Sequence, residues 1–430
     1  MIRWRQGVVR EVLPGWPGVV PVSVDLAPGD DIPDRAQGSP RPSARLSPTE
    51  RTVLPALAYV AVVGTPEVGD RVLLNTTALD RGLGTGGYAV VTAIPDRPAA
   101  WPAGWAVDPD APGHLVKARY SPLQTMVLGV DDPEGEHHAV LEAADSIDGM
   151  PVVAADLHSS LPAIVAGARL EADRQGRAAP RVAYVMTDGG ALPLAFSRSA
   201  SVLREAGWLT ATITCGQAYG GDLEAVTVHT ALLAARHVVE ADLAVVVQGP
   251  GNLGTGTRWG FSGVAAGEAL NAASVLGGHP VAALRVSQAD PRERHRGLSH
   301  HSLTAYGRVL AHPADLVVPV QDGPAPDVPA PDASASRAPA HPAALGDGSG
   351  HPIPADLEEC LDQVHRQAVE LVITAPHLRL VEVSTDGVLG ALSHSPVRLS
   401  TMGRGLAEDP AAFVAAAVAG IHAQHRTLQA

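Results

Sequence analysis

At 430 residues the chain exceeds one ordinary domain core, and its length suggests two or three folded units. A formal net charge of −14 argues against nucleic acid as a partner, because gripping a phosphate backbone needs a surplus of Lys and Arg. Lys117 is the only lysine, which excludes a phosphate loop ending in Gly-Lys-Ser/Thr, and the two cysteines, Cys215 and Cys360, make no disulfide framework and fit a reducing compartment.

The opening MIRWRQGVV lacks the apolar centre of a signal peptide, and no apolar run reaches the roughly 18 to 20 residues that span a bilayer. The expectation is a cytoplasmic protein without membrane contact. Only 3% of residues are aromatic and the apolar fraction is rich in alanine, so the core should be Val, Leu and Ala, as in strands covered by helices.

Residues 1–120 read as short strands broken by Gly and Pro, at 7–13, 19–26, 53–63, 70–75, 88–94 and 114–120, the pattern of a small β-barrel or sandwich. Residues 27–51, rich in Pro, Ser, Asp and Arg, read as a mobile loop. Lys117 and Arg119 alternate and should share one strand face.

A strand, loop, helix rhythm then occupies 121–320. Apolar runs at 125–129, 151–155, 181–186, 210–214, 243–247, 281–286 and 316–320 have the continuous character of parallel strands buried on both faces. Helical patterns lie between them at 161–173, 194–206, 222–240 (with Asp222 as cap), 261–276 and 301–310, and Leu-Pro pairs stand at two helix entrances, Pro162 and Pro193. The expected fold class is α/β, a doubly wound, mainly parallel, Rossmann-like sheet behind an N-terminal barrel. Residues 321–350 read as a flexible linker. In 351–430 a helix through Leu357, Cys360, Leu361, Val364 and Ala368, a strand at 378–383, a loop at 386–405 and a helix at 410–423 should dock on the α/β domain.

Ligands of open α/β sheets bind beyond the carboxyl ends of the strands. Here those ends are polar or glycine-rich, and two are longer than connections need to be, residues 248–257 and 287–301. The first contains Gly249-Pro-Gly251-Asn-Leu-Gly254, a dinucleotide spacing. No helix starts at once, however, and no acid near position 274 stands ready for a ribose, so Gly249, Gly251, Gly254 and Gly256 are read as a general anion cradle. The second holds Arg292, Arg294 and Arg296, whose guanidinium forks suit carboxylate or phosphate, with solvated charge as the plain alternative.

Cys215, at a strand end before a glycine, is a candidate nucleophile or a buried strand residue. His158, His300 and His301 are candidates for acid–base work, and Asp188 either orients a histidine or holds a turn. His295, Asp156 and Asp290 add metal-capable side chains, but no spacing fits a zinc pattern, and adjacent His300 and His301 should point apart, so no metal is assigned and the cofactor is left open.

The segments MTDGGALP, TCGQAYGGDLEAV, QGPGNLGTGTRWGFSG with GEALNA, RHRGLSHHS and TMGRG resemble an uncharacterised bacterial family, domain of unknown function three-eight-six-six. A local likeness is chemical: Thr214-Cys-Gly216, then Gly249-Pro250 and Arg258-Trp-Gly260, is similar to the substrate-specific component B of glycine, sarcosine and betaine reductases. That resemblance implies a shared fold and pocket position; the family's later Ala-Cys-Gly reads Ala265-Ala266-Gly267 here. The combined expectation is an enzyme for a small anionic metabolite. The alternatives are a non-catalytic metabolite-sensing or assembly protein and a component B-like binder; self-association is left open.

Overall fold

The computed structural model describes residues 2–27, 53–80, 87–97, 112–321 and 355–427. Most of the expected loop at 27–51 and of the linker at 321–350 lies outside them.

Alternating apolar residues build the N-terminal strands. β1 (Trp4–Val12), β2 (Val19–Leu26), β3 (Val53–Tyr59), β4 (Arg71–Asn75) and β5 (Ala89–Ala93) close into a barrel in the order β1-β2-β3-β5-β4. Val9, Val22, Val24, Leu54, Val72, Leu74 and Val91 fill it. The run after β3 turns into one helical turn, Val60–Val63, instead of continuing as strand. Trp16 donates from Nε1 to the Ala195 carbonyl at 2.7 Å, and Tyr59 meets Phe196 edge to face, so the barrel leans on the segment that follows the second strand of the main sheet.

That sheet has eight strands, all parallel. β8 (Pro151–Ala155), β9 (Val182–Thr187), β10 (Ala211–Cys215), β11 (Leu223–Ala225), β12 (Leu243–Gln248), β13 (His279–Ala283), β16 (Ala314–Val320) and β17 (Leu378–Ser384) stand in the order β11-β10-β9-β12-β8-β13-β16-β17. Every residue of β8 and β12 is buried, as continuous Val and Ala runs require when helices cover both faces. The expected α/β class with an N-terminal barrel is what the chain adopts.

Some boundaries differ. Residues 125–129 do not enter the main sheet: β7 (Thr125–Val127) pairs antiparallel with β6 (Leu115–Lys117). Asp222 does not cap a helix. Its carboxylate instead takes the Thr212 amide and hydroxyl and Arg204, β11 follows, and the helix Val228–His237 is capped by Thr227. Pro162 does sit in the first turn of Leu161–Arg174, whereas Pro193 precedes a short 3-10 turn and Ser197 caps Arg198–Glu205. The stretch 386–405 holds a helix, Val388–Ser393, and a hairpin of β18 (Ser400–Thr401) and β19 (Arg404–Gly405).

Helices Leu161–Arg174 and Pro410–Arg426 cross on one face of the sheet. A Cβ at Gly167 would lie 1.9 Å from the Ala417 carbonyl oxygen, and one at Gly420 1.9 Å from that of Ile164, so both glycines let the backbones touch. The connection from β8 leaves toward β9, while those from β12 and β13 run the other way, toward β13 and β16. Their carboxyl ends flank the topological switch point, where an open α/β sheet leaves a crevice.

Candidate functional site

Three strand ends meet there. β8 delivers Asp156, β12 delivers Gln248 and the loop to Phe261, and β13 delivers Arg285 and the excursion to His301. β14 (Val286–Ser287) pairs with β15 (Gly297–Leu298) and closes that excursion at its neck. The Arg285 amide donates to Ser302 Oγ at 2.9 Å and the Ser299 amide to the Arg285 carbonyl, which fixes the start of helix His300–Thr304 against the strand end. Ser299 caps that helix by accepting the His301 amide. The helix runs into a π turn, Ala305–Val309, whose Tyr306 hydroxyl sits 2.8 Å from the Ala154 carbonyl oxygen and 2.9 Å from that of Ala283.

At the centre, Asp156 Oδ2 lies 2.8 Å from His301 Nδ1 and 3.1 Å from Arg285 Nη1. Burial opposes the charge on Asp156, but Arg285 and His301 outweigh it and hold the carboxyl below its usual range. Arg285 Nη1 is also 2.8 Å from His301 Nδ1. Nδ1 cannot donate to the carboxylate and accept from the guanidinium at once. An ionised Asp156 favours the proton on Nδ1, which leaves Nε2 as the basic atom. Phe261 stacks on the His301 ring, with centroids 3.7 Å apart and planes 11° from parallel.

His295 and His300 complete a cluster with His301. The ring centres lie 4.9 Å (His295–His300), 5.0 Å (His295–His301) and 4.5 Å (His300–His301) apart. Adjacent His300 and His301 thus converge, contrary to the expectation from helix geometry: both rings stand at the first turn of helix His300–Thr304, and the preceding loop brings His295 to both. His295 Nδ1 is 2.7 Å from Ser299 Oγ, and His300 Nε2 is buried without a partner among the described residues. Burial first, then nearby positive groups, push His295 down to about 3 and His300 to about 4, so both are neutral at pH 7.

The three arginines separate. Arg292 is spent on Asp290 through contacts of 2.9 and 2.8 Å. Asp290 is held well below the carboxylate range despite its burial, by Arg292 and by Arg404 of the TMGRG segment, which also binds Asp409. Arg296 lies on the side of Cys360, whose thiol it pulls down against the larger effect of burial. Arg294 is exposed, has no ion pair among the described residues, reaches the glycine loop at Gly256 and acts electrostatically on His300.

In the glycine loop, Leu253 and Thr255 donate their amides to Ser262 Oγ and the Gly260 carbonyl, which folds it on itself. Gly251 and Gly256 have positive φ of 99° and 82°, and with Gly254 they are exposed. Gly249 packs on Leu192 and Met186 and lies behind the loop. Gln248 binds the Asp156 carbonyl and Asn252, and its Oε1 is buried without a partner among the described residues. Beside it, Asp156, Thr187, Gly263 and Ala266 line a cavity of ≈ 10 Å³, room for about one water molecule.

The remaining candidates lie elsewhere. His158 turns to Ser197 Oγ at 2.8 Å and to the Tyr184 ring, and burial lowers it to about 4. Asp188 accepts the amides of Gly190, Ala191 and Gln217, the turn-holding role of its two readings. Cys215 is 3% exposed, its thiol faces the Met186 carbonyl, and burial pushes it up to about 12 against the pull of Lys117. Lys117 itself is fully buried on Glu224 and on the carbonyls of Ala218 and Ala225, away from the histidines. Arg285 and Phe261 went unread in the sequence: the first looked like strand interior, the second like a helix start.

Fold and site define an α/β protein with an N-terminal barrel and a buried Asp–His–Arg cluster at the switch point of its sheet. The family described as protein of unknown function, DUF3866, has a model that matches residues 55–420, and the chain belongs to that family. No curated protein and no solved structure matches the chain, so the local likeness to reductase component B gains no support. Among the described residues no helix is long and apolar enough to cross a membrane.

Proposed function

We propose that the crevice at the ends of β8, β12 and β13 is the active site of an enzyme that binds a small anionic metabolite and acts on it by acid–base chemistry. The observation that carries this reading is Arg294, an exposed guanidinium without a carboxylate partner among the described residues, with Nη2 beside Gly256. Such a fork grips carboxylate or phosphate, and the amides of Gly251, Gly254 and Gly256 can add to it. His301, oriented through Nδ1 by Asp156, would exchange the proton through Nε2, in the manner of a histidine held in one tautomer by a carboxylate.

A panel of small phosphorylated and carboxylated compounds, screened by thermal shift on the full chain and then for turnover, tests it. A stabilising anion that is turned over by wild type, and at least about 100-fold more slowly by His301→Ala, supports the reading. A stabilising anion that no form turns over supports the non-catalytic sensor instead. Chemistry through Cys215 is not part of the proposal, because its environment keeps the thiol protonated.

A further inference from the structure

We infer that His295, His300 and His301 form a binding site for a divalent transition metal of the zinc class, with three imidazole ligands and one open position. Their ligand atoms lie within 4.8 Å of one another. A zinc ion at about 2.0 to 2.1 Å from three tetrahedrally disposed imidazole nitrogens sets those nitrogens roughly 3.4 Å apart and the ring centres roughly 5 Å apart. The observed ring centres, 4.5 to 5.0 Å apart, already have that spacing. The rings are mutually inclined, at 47°, 83° and 71°, as ligands approaching one point from three directions are, not as a stack.

The atoms left over fit as well. His301 Nδ1 is taken by Asp156 and His295 Nδ1 by Ser299, which leaves Nε2 of each ring to a metal; Nε2 of His300 is the buried atom without a partner among the described residues. Asp156 then stands behind His301 as the carboxylate that orients a metal-bound imidazole and raises its basicity. Ser299 Oγ accepts the His301 amide and can also accept Nδ1–H of His295, the tautomer that presents Nε2 as ligand. Three protein ligands with a free fourth position are the pattern of catalytic zinc. That position would face the side on which Arg294 acts on His300, so an anion or hydroxide there offsets the ion's charge.

Two other clusters bring metal-capable side chains together. In His279, Asp315 and His422, both histidines already spend Nε2 on Asp315 at 2.7 Å, and Arg379 occupies the same carboxylate at 2.6 Å twice, a closed ion-pair network. In His114, Asp132 and Glu134 the histidine side chain is 78% exposed, and Glu134 accepts the Gly113 amide. In both, the ligand atoms lie close together but are already paired or open to solvent.

A metal here takes His301 Nε2 as a ligand and so replaces the proton exchange proposed for that atom, with the open position as the acid–base centre; the site is tested without an anion. The full chain, stripped with a chelator and exchanged into phosphate-free buffer, is titrated with Zn²⁺ by calorimetry and with Co²⁺ by visible absorption. The expected result is one ion per chain and a Co²⁺ spectrum of tetrahedral or five-coordinate intensity. His300→Ala and the size-conserving His300→Gln should each weaken binding at least about 100-fold, Asp156→Asn about 10- to 100-fold, while His279→Ala leaves it unchanged. No ion bound by folded wild type, a weak octahedral spectrum, binding that survives both His300 variants, or loss in His279→Ala would overturn the assignment. Phosphate binding to the stripped protein separately decides the anion reading.

Discussion

Asp156 and His301, 145 residues apart in sequence, meet at 2.8 Å between Oδ2 and Nδ1, and Arg285 closes the triangle from the end of β13. All three are at least nine-tenths buried. Removing one member therefore strands the others in a medium of low dielectric. Asp156→Ala should destabilise the fold by about 3 to 5 kcal/mol, the cost of leaving a buried charge unpaired, and Asp156→Asn by less. Urea unfolding followed by circular dichroism measures both; an Asp156→Ala loss under 1 kcal/mol would mean the triangle is open to water.

Cys215 should be chemically silent. With its thiol buried and pushed up to about 12, iodoacetamide at pH 7.5 should leave it unmodified in the native state and label it fully in denaturant. Cys215→Ala should leave any turnover unchanged. Rapid native-state labelling would restore the nucleophile reading and with it the likeness to reductase component B.

The crossing of helices Leu161–Arg174 and Pro410–Arg426 depends on two missing side chains. Gly167→Ala or Gly420→Ala places a methyl 1.9 Å from a carbonyl oxygen of the partner helix, and the helices must separate. Each should cost about 1 to 3 kcal/mol or more as overpacking, read as a fall in the urea midpoint. An unchanged midpoint would show that the helices pack farther apart.

Asp315 supplies a pH signature. Burial works against its ionisation, but hydrogen bonds from His279, His422 and Arg379 outweigh it and hold the carboxyl far below the ordinary value. A folded-state value below the unfolded one, about 3.9, gives stability that is present above pH 4 and lost as pH falls through the folded value. The stability gap between wild type and Asp315→Asn should therefore be full at pH 6 and shrink steadily below pH 4. A gap constant from pH 6 to pH 2.5 would contradict it.

The sheet was legible because both-face burial writes itself as Val and Ala runs, which make up most of β8 and β12. The two long loops were legible as connections longer than the fold needs, and their strands β12 and β13 flank the switch point. Which side chains meet was not, since that depends on strand order: the placement of β8 between β12 and β13 is what sets Asp156 against His301 and Arg285. Arg285 was hidden by its strand neighbours, and Cys215 misled because a Cys-Gly turn is a local signal while thiol activation depends on tertiary burial. Asp222 misled in the same way, capping a strand end through Thr212 where a helix start was expected.

Arginine placement offers the most direct test of the central claim. Titrating the full chain with inorganic phosphate should show wild type and Arg296→Ala binding alike, since Arg296 lies toward Cys360, and Arg294→Ala binding about 10-fold more weakly, the loss of one charge-assisted contact. Equal binding by wild type and Arg294→Ala, or a loss confined to Arg296→Ala, would contradict an anion site between the glycine loop and the histidine cluster.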